Sequence, residues 1–405
     1  MTGAVRWPSR SGGRHGQDAA MRIALFSESY EPIINGVSVL TQALRDELCR
    51  QGHEVYVFAP AYRGFKDEYP HVFRFPSART RFARDYPLPF PFAPGMSAAF
   101  RELKLDIVHT QTPFTLGILG ARWARRGGIP IVSTNHTLYA KYAHYAPFLP
   151  RWVTERALVI LMRRYYNACD GVASPSQPAK EALQSCGVHA RIEVIPGGVT
   201  AGMTTGDPDG FKERLGVSAG DRILLYVGRL AKEKNLGMLL NAFNLALREA
   251  PDAKLALVGA GPYEKELRSM VEELGLQDKA LFVGPMRPPQ LGSAYAAADV
   301  FVWPSGTETQ GLAVCEALSA GRPCVVVEAG GTPEYVEDGV DSLLTQDDAR
   351  SFADSTLRLL RDEALRQRMS EAALKNSARF SVSEMTSKFV KFYESVIEEH
   401  KRGAC

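Results

Sequence analysis

Residues 222–230, RILLYVGRL, decide how the chain is divided into domains. An apolar run that ends in a basic loop is typical of a buried strand. It follows the segment 196–210, PGGVTAGMTTGDPDG, whose Gly, Pro, Thr and Asp content is typical of a linker. Strand-like runs alternate with helical patterns both before and after this linker. We therefore predict two successive α/β sets, each of domain size.

The first set begins with RIALFSES (22–29), which leads through the glycine loop YEPIINGV into a helix ending at Gly52 and a strand, EVYVFAP (54–60). Further strands are predicted at 106–113, 129–137, 171–176 and 191–198, and in the second half at 254–261, 280–286, 299–305 and 323–330. This order predicts an α/β fold of two Rossmann-like, doubly wound domains that face a central cleft. The predicted limits are a disordered leader over 1–20, a first domain over 21–198, a second over 199–381, and a final helix over 382–405 that packs back on the first domain.

Charge is divided unevenly along the chain. Residues 1–200 hold 24 Lys and Arg against 15 Asp and Glu, a net charge of +9, and residues 201–405 hold 24 against 30, a net charge of −6. The basic half suits an anionic partner such as a membrane surface, a phosphate or a nucleic acid, although ordinary solvation explains it equally well. A nucleic acid is poorly supported, because the basic residues are dispersed and no recognised binding module is present.

The spacing of the cysteines and the hydropathy of the chain indicate the cellular compartment. The six cysteines show no C-x-x-C pairing, which favours reduced thiols in a cytoplasmic protein over a disulfide framework. No apolar stretch reaches the roughly 18 residues that cross a bilayer. Residues 1–20 lack the apolar core of a signal peptide, and structure is expected to begin near Met21.

Several familiar motifs are absent or incomplete. The segment VGAGPYEKE (258–266) lacks the third glycine of a dinucleotide fingerprint, because Glu264 occupies that place. No phosphate-binding G-x-x-x-x-G-K-[ST] loop and no His/Cys cluster with zinc spacing is present. The acidic triplet DPD (207–209) lies in the linker, so we interpret it as turn chemistry rather than as a metal site.

The remaining candidates lie at predicted strand ends, where ligands bind in open parallel sheets. Arg229 follows one strand directly and Lys234 precedes the next helix, so that two cations and helix N–H groups form a potential diphosphate site. A solvated loop is the equal alternative. Glu308 precedes a helix expected to start near 310–311, and Glu316 is the one acid in the apolar run LAVCEAL (312–318). A carboxylate there is suited to a pair of vicinal hydroxyls, whereas the alternative is two solvent-facing glutamates.

The first half offers weaker signals. His136 ends the strand IPIVSTN, and alone it is more simply a hydrogen-bonded strand-end histidine. The helix predicted at 151–166 combines apolar and basic residues, as a membrane-surface helix does, but its periodicity slightly favours a core helix with a basic rim. The loop 78–96 places Arg79, Arg81 and Arg84 among aromatic residues and prolines, which is compatible with a lipid-headgroup contact or with an ordered surface loop.

Four segments together resemble the retaining glycosyltransferases of family 4. TETQGLAVCEALSAGRPCVV looks like their E-x7-E signature, YVGRLAKEKN their phosphate-binding segment, YEPIINGV their N-terminal glycine loop, and IPIVSTNHT the segment with their active-site histidine. The motifs occur in the family's order and the resemblance covers nearly all of 21–400. It implies the GT-B fold, an acceptor-binding first domain, a second domain that binds a nucleotide sugar, retention of anomeric configuration, and neither a cofactor nor a catalytic metal.

The resemblance also implies roles for individual residues. Arg229 and Lys234 would neutralise the leaving diphosphate, and Glu316 would bind the ribose hydroxyls. The donor sugar would be held by Glu308 and by the backbone of Gln310, Gly311 and Leu312. Gly36 would let the first helix approach the phosphates, His136 would sit against the sugar, and the turn around Met286 would border the base. With His136, Glu308, Arg229 and Lys234 as catalytic residues, front-face attack is expected, and a donor phosphate oxygen would take the acceptor's proton.

The segment NHTLYAKYAHY, together with ETQG, is similar to bacterial diacylglycerol glucosyltransferases. It implies UDP-glucose as donor, a lipid acceptor at an anionic membrane surface, peripheral attachment at the inner face of the membrane, and an acceptor site that includes Tyr139, Tyr142, His144 and Tyr145. Two departures are Gly197, where relatives often have Asn, and FSVSEM (380–385), which lacks their usual tryptophan. The alternatives are transfer from GDP-mannose or a UDP-sugar to a soluble or polyprenyl-linked acceptor, and a non-catalytic nucleotide-sugar-binding protein. A phosphorylase is disfavoured, because no lysine is placed to hold pyridoxal phosphate.

Overall fold

The computed structural model describes residues 20–33, 35–78, 87–136, 151–199, 206–218, 220–287 and 290–403. The predicted leader up to residue 19 lies outside the described residues. So do three arginines and four proposed acceptor-site residues of the first half: Arg79, Arg81, Arg84, Tyr139, Tyr142, His144 and Tyr145.

The described strands and helices alternate along most of the chain. The strands are β1 (Arg22–Phe26), β2 (Glu54–Pro60), β3 (Val72–Phe75), β4 (Ser77–Ala78), β5 (Leu88–Pro89), β6 (Ile107–Thr110), β7 (Ile131–Thr134), β8 (Gly171–Ser174), β9 (Ile192–Val194), β10 (Arg222–Val227), β11 (Ala253–Val258), β12 (Ala280–Gly284), β13 (Val300–Trp303), β14 (Cys324–Val327) and β15 (Ser342–Thr345). The helices are α1 (Gly36–Arg50), α2 (Met96–Glu102), α3 (Thr115–Gly127), α4 (Arg151–Tyr166), α5 (Gln177–Ser185), α6 (Pro208–Arg214), α7 (Leu236–Leu247), α8 (Glu264–Glu273), α9 (Gln290–Ala297), α10 (Leu312–Ser319), α11 (Ala349–Arg361), α12 (Glu363–Ser377) and α13 (Val382–Gly403).

Two parallel sheets organise the molecule. The first has the order β3-β2-β1-β6-β7-β8-β9 and the second the order β12-β11-β10-β13-β14-β15. Every pairing within the two sheets is parallel. In each sheet the strand order reverses once, between β1 and β6 and between β10 and β13, which is the defining feature of a doubly wound sheet. The predicted pair of Rossmann-like folds is confirmed.

The outermost strands β3 and β15 were not predicted. β3 has the sequence VFRF, is mostly half-buried and contains Arg74, so it lacks the continuous apolar run of an inner strand. β15 has the sequence SLLT, in which only two apolar residues stand between polar ones. Strands β4 and β5 form a separate antiparallel pair in the loop that was predicted to be irregular.

The first sheet is covered by helices on both faces, because alternate side chains of a strand point to opposite sides. Ala24 and Phe26 of β1 lie in a core with residues of α2, α3, α4 and α5, whereas Ile23 and Leu25 lie in a second core with residues of α1 and α13. The final helix α13 contributes Met385, Phe389, Phe392, Tyr393 and Val396 to that second core. The domain limits at residues 198 and 381 stay a prediction.

The chain crosses between the two sheets twice, and the crossings touch each other. Val199 donates its N–H to the Phe380 carbonyl at 2.7 Å, and Val382 donates to the Val199 carbonyl at 3.3 Å. In the linker, the Asp207 side chain accepts the Gly210 N–H at 2.9 Å and caps α6. The triplet DPD therefore begins a helix rather than forming the predicted turn, and Asp207 satisfies an otherwise unpaired helix donor.

Other expectations concern single side chains. The five described cysteines, at positions 49, 169, 186, 315 and 324, are free. Helix α4 buries Met162, Tyr165 and Tyr166 in the first core and exposes Arg163 and Arg164 together with Trp152 and Ile160, so it has one core face and one exposed face that is both basic and apolar. No helix within the described ranges is long and apolar enough to cross a membrane.

Candidate active site

The loops that follow β10 and β13 carry the strongest candidates of the second half. These two strands flank the point where the strand order of the second sheet reverses. Arg229 and Lys234 follow β10, and Glu308 follows β13. Loops on either side of such a reversal diverge and leave a crevice between them, where ligands bind.

A cavity of about 380 Å³ lies between the two sheets' carboxyl ends and is lined from both halves of the chain. It brings together most of the predicted site residues, namely Gly36, His136, Arg229, Lys234, Glu308, Gln310, Gly311 and Leu312. Glu316 and Met286 are not among the lining residues. The roles of all these residues stay predictions.

Lys234 and Glu308 form the ionic centre of the cavity. The Lys234 Nζ donates to Glu308 Oε1, and both side chains are largely buried. Ser305 Oγ donates to the same carboxylate oxygen at 2.8 Å. The ammonium also lies 5.5 Å from the ring centroid of Trp303. Arg229 is more exposed, with its Nη1 4.0 Å from Glu233 Oε1. Two cations and the Glu308 carboxylate therefore lie at the cavity wall, with Glu233 close to Arg229.

The loop that carries Arg229 lies against the glycine segment that follows β11. Leu230 donates its N–H to the Ala260 carbonyl at 3.0 Å, and Tyr263 donates to the Leu230 carbonyl at 3.0 Å. A Cβ at Gly259 would lie 1.9 Å from the Gly228 oxygen, and one at Gly261 would lie 2.1 Å from the Leu230 oxygen. The G-x-G pair thus permits close backbone packing beneath Arg229.

Helix α10 begins at the cavity wall, which Gly311 and Leu312 line. It begins at Leu312, after Gly311, whose φ of 81° is left-handed and favours glycine. A Cβ on Gly311 would also lie 2.7 Å from Thr332 Oγ1. The predicted start at 310–311 is therefore one to two residues early, because Gly311 is the N-cap.

Gln310 uses its side chain to join the two halves. Its Oε1 accepts the Gly197 N–H at 2.8 Å and its Nε2 donates to the Gly197 carbonyl at 2.9 Å. A Cβ at residue 197 would lie 2.7 Å from Gln310 Oε1, so the glycine makes room for the amide. Only the backbone of Gln310 then remains for the donor interaction that the resemblance implies.

Glu316 is largely buried and has a defined partner. Its Oε2 accepts the hydroxyl of Tyr295 at 2.6 Å, and 8% of the residue is exposed. Burial raises the pKa of Glu316 to about 7. The solvent-facing alternative for this glutamate is therefore wrong. Its predicted contact with ribose hydroxyls stays a prediction.

His136 is held at the end of β7 by residues from both halves. Its Nε2 donates to Gln111 Oε1 at 2.7 Å, and its carbonyl accepts the Thr309 hydroxyl at 3.0 Å. Burial lowers the pKa of His136 to about 4, so the ring is neutral near pH 7. A neutral ring in this place can form hydrogen bonds but is a weak base.

Gly36 is placed where the helix α1 meets the cavity. Asn35 caps this helix by accepting the Ser38 N–H at 2.9 Å, and its Nδ2 donates to Ser29 Oγ at 2.6 Å. A Cβ at Gly36 would meet no protein atom within 4 Å. Packing within the protein therefore does not require glycine at this position.

Sequence reasoning missed other residues that line the cavity, including Leu40, Gln111, Thr134, Thr307, Thr309, Met385 and Phe389. Gln111 and Thr134 lie at strand ends, where ligands bind in open parallel sheets, so the sequence could have predicted them. Met385 and Phe389 come from the final helix and carry no motif. Within the described ranges, no group of three or more His, Cys, Asp or Glu side chains could hold a metal ion.

Comparisons with known proteins agree with this arrangement. A model described as Glycosyltransferase Family 4 matches residues 34–201, and one described as Glycosyl transferases group 1 matches residues 209–376. An alpha-monoglucosyldiacylglycerol synthase of Streptococcus pneumoniae is 33% identical over 323 residues, which cover 77% of this chain and 72% of the relative. A GDP-mannose-dependent alpha-mannosyltransferase of Corynebacterium glutamicum is 29% identical over 336 residues, or 80% of this chain and 76% of the relative.

Solved structures support the same fold. The crystal structure of Anabaena Alr3699/HepE in complex with UDP and glucose superposes with a TM-score of 0.75 at 22% identity, covering 93% of this chain and all of that one. With its two parallel-sheet domains and a cleft between them, the chain has the predicted GT-B fold. Together with the similarity to the synthase, these matches establish that the chain belongs to glycosyltransferase family 4.

Proposed function

We propose that the enzyme transfers glucose from UDP-glucose to a lipid acceptor such as diacylglycerol, with retention, at the inner face of the membrane. The observation that carries this proposal is the joint placement of Arg229, Lys234, Glu308 and the α10 N-terminus on one cavity, in a chain similar to a glucosyldiacylglycerol synthase. The nucleotide in the related fold of Anabaena HepE is consistent with it.

Donor binding in this proposal uses complementary charge. The diphosphate lies against Arg229 and Lys234, so that Lys234 turns from Glu308 toward phosphate oxygens and Glu308 becomes available to sugar hydroxyls. The first N–H groups of α10 add a partial positive charge on the same side. Glu316 binds the ribose hydroxyls and the turn at Met286 borders the base, which requires the donor to extend beyond the 380 Å³ cavity.

The chemical step then needs no protein nucleophile. The bond between the anomeric carbon and the β-phosphate oxygen breaks, and the acceptor oxygen bonds to the same face of that carbon. The hydroxyl proton of the acceptor passes to the leaving phosphate oxygen. Arg229, Lys234 and the α10 N–H groups stabilise the charge that develops on the diphosphate. His136 suits a hydrogen-bonding role against the sugar, since its pKa of about 4 makes it a weak proton acceptor.

The first domain offers a surface for a membrane. Trp152 is 68% exposed and Phe92 is 78% exposed. On α4 the basic residues Arg156, Arg163 and Arg164 are exposed together with Ile160. Trp152, Ile160 and these arginines recur at three- or four-residue spacing along α4 and so share one face of the helix, and exposed apolar residues beside cations are typical of a contact with an anionic bilayer surface. A lipid acceptor can be collected directly from such a surface.

Two assays test the proposal. Purified enzyme is incubated with UDP-glucose and diacylglycerol in anionic vesicles, and formation of a glucolipid with the α-anomeric configuration of the donor is followed by NMR. Sedimentation with the same vesicles at low salt tests attachment, with neutral phosphatidylcholine vesicles as control. A glucolipid of inverted configuration would refute retention, and no sedimentation at low salt would refute the membrane surface.

A second donor is favoured by a specific observation, the similarity to a GDP-mannose-dependent mannosyltransferase. Transfer of mannose from GDP-mannose, to a soluble or polyprenyl-linked acceptor, uses the same diphosphate site. Thermal-shift measurements with UDP-glucose and GDP-mannose separate the two, because only the bound donor raises the unfolding temperature. Stabilisation by GDP-mannose alone would replace our first proposal by the second.

A further inference from the structure

The final helix reaches the wall of the active-site cavity from the far end of the chain. Met385 and Phe389 of α13 line the cavity. One turn further along, Tyr393 is completely buried, and its hydroxyl lies 2.6 Å from Nδ1 of His109. His109 belongs to β6, so a hydrogen bond joins α13 to the first sheet directly beneath the cavity.

The His109 ring is fixed on both sides. Thr134 Oγ1 lies 2.7 Å from Nε2, and the Tyr393 hydroxyl occupies Nδ1. The ring is fully buried, and burial lowers its pKa to about 3. A neutral imidazole has one donor and one acceptor nitrogen, and two hydroxyl partners satisfy both in either tautomer.

Gln111 connects this ring to His136. Its Nε2 lies 3.3 Å from both nitrogens of His109. The Tyr393 and Thr134 hydroxyls already occupy the in-plane hydrogen-bonding directions of these nitrogens. The amide N–H therefore lies over the face of the ring. The opposite end of the amide, Oε1, lies 2.7 Å from His136 Nε2. An amide oxygen only accepts, so the proton of the neutral His136 ring is on Nε2.

We propose that Tyr393, acting through His109 and Gln111, positions the His136 ring and holds it in the Nε2–H tautomer. This leaves His136 Nδ1 without a proton and able to accept a hydrogen bond from a donor-sugar hydroxyl, a consequence that rests on the proposed function. Tyr393, His109 and Gln111 are positioning residues, and α13 is thereby a part of the active site.

The tautomer is tested on the full chain without any substrate. In ¹⁵N-histidine-labelled protein at pH 7, the signals of His136, identified by their loss in His136→Ala, should show a protonated Nε2 and an unprotonated Nδ1. Gln111→Leu should abolish this single tautomer, whereas Gln111→Glu should retain it, because a carboxylate still accepts from Nε2–H. A protonated Nδ1 in the wild type, or an unchanged spectrum in Gln111→Leu, overturns the proposal.

The role of the helix is tested by a matched pair of tyrosines. Tyr165 is also buried, and its hydroxyl lies 2.6 Å from Thr110 Oγ1, on the neighbouring residue and opposite face of β6. Tyr393→Phe and Tyr165→Phe each remove one buried hydroxyl group, so both should lower the unfolding temperature. Only Tyr393→Phe should lower kcat, by about tenfold, with the KM for UDP-glucose within about twofold of wild type.

The outcomes separate this proposal from the proposed function. Equal kcat values for Tyr393→Phe and Tyr165→Phe overturn the role of the final helix. If the wild type transfers no glucose from UDP-glucose, the proposed function is wrong, and the His136 spectra still decide whether Gln111 sets the tautomer.

Discussion

Neither packing nor backbone conformation within the protein requires a glycine at position 36. Gly36 begins α1 on the cavity wall, its φ is not among the positive ones, and a Cβ there would meet nothing within 4 Å. An alanine is also the better helix former, by about 0.5–1 kcal/mol. We therefore predict that Gly36→Ala keeps or raises the unfolding temperature and lowers glycosyl transfer at least about tenfold, because a methyl group would occupy the space of a phosphate.

Calorimetry measures the unfolding temperature of Gly36→Ala, and a transfer assay on the same preparation measures its activity. Gly403→Ala is the matched control, because Gly403 also lies in a helix with no neighbour within 4 Å of its Cβ but is remote from the cavity. Full activity in Gly36→Ala would contradict a phosphate at this position.

Lys234 is the buried cation of the site, and its loss should weaken nucleotide binding. Charge-assisted hydrogen bonds contribute about 1.5–3 kcal/mol, so Lys234→Ala should raise the dissociation constant for UDP by about tenfold to a hundredfold. Titration calorimetry measures this effect. Lys232→Ala in the same short 3-10 helix removes an exposed cation and should leave the affinity within about twofold. Equal affinities in the two variants would argue against a diphosphate on Lys234.

Glu316 predicts a pH dependence of donor binding. Its pKa of about 7 in the folded protein means that it gains a proton as the pH falls from 8 to 6, and the neutral acid is the poorer acceptor for two ribose hydroxyls. The Tyr295 hydroxyl that faces it has a raised pKa and does not titrate in this range. The affinity for UDP-glucose, whose diphosphate diester does not ionise between pH 6 and 8, should therefore decrease as the pH falls.

Glu316→Gln separates this effect from other titrations. The amide is neutral at every pH, so its affinity for UDP-glucose should be lower than that of the wild type at pH 8 and nearly independent of pH between 6 and 8. A pH dependence that persists in Glu316→Gln would assign the titration to another group.

At the scale of elements, the loop after β10 depends on the loop after β11. Gly259 has a φ of 139° and its Cβ position lies 1.9 Å from the Gly228 oxygen. Gly259→Ala should lower the free energy of unfolding by about 3 kcal/mol or more, because backbone must move, and should weaken UDP binding through the displaced Arg229. Gly284→Ala at the end of β12 is the control, since it has a φ of 82° but no atom near its Cβ, and should cost only about 1–2 kcal/mol.

Chemical denaturation measures the free energy of unfolding of the two glycine variants, and titration measures their affinity for UDP. If Gly259→Ala lost stability but bound UDP normally, the glycine pair would support the fold alone and not the position of Arg229.

The same elements illustrate what the sequence could predict. The inner strands β10 and β13 are continuous apolar runs followed by polar loops, so both strands were predicted correctly. Arg229 and Glu308 lie in the loops after them as expected, and their roles stay predictions. Edge strands such as β3 lack that signal. The Tyr295 hydroxyl on Glu316 and the Gln111 amide on His136 join residues that are distant in sequence, and no local pattern records such pairs. Nor does periodicity indicate that α13 packs beside His109.

At the scale of the whole molecule, the two domains are joined at the loop between β13 and α10. Gln310 forms two hydrogen bonds with Gly197, and Thr309 forms one with the His136 carbonyl. Glu334 also joins the two domains, because its carboxylate accepts the Gln177 N–H. The departure from the usual Asn at residue 197 has a structural reason here, since any side chain would displace the Gln310 amide. These hydrogen bonds couple the loop between β13 and α10 to the position of the first domain.

Gln310→Glu tests this coupling with the loss of a single donor. The carboxylate can still accept the Gly197 N–H, but it opposes the Gly197 carbonyl and places a charge in a site where only 5% of the residue is exposed. An unsatisfied buried group costs about 1–3 kcal/mol, so the closed arrangement should become less populated by about fivefold to a hundredfold or more. We expect a larger radius of gyration by small-angle X-ray scattering and a lower kcat.

Gln184→Glu introduces the same charge on the exposed surface of α5 and should change neither quantity. An unchanged radius together with normal turnover in Gln310→Glu would show that the domains close without this amide.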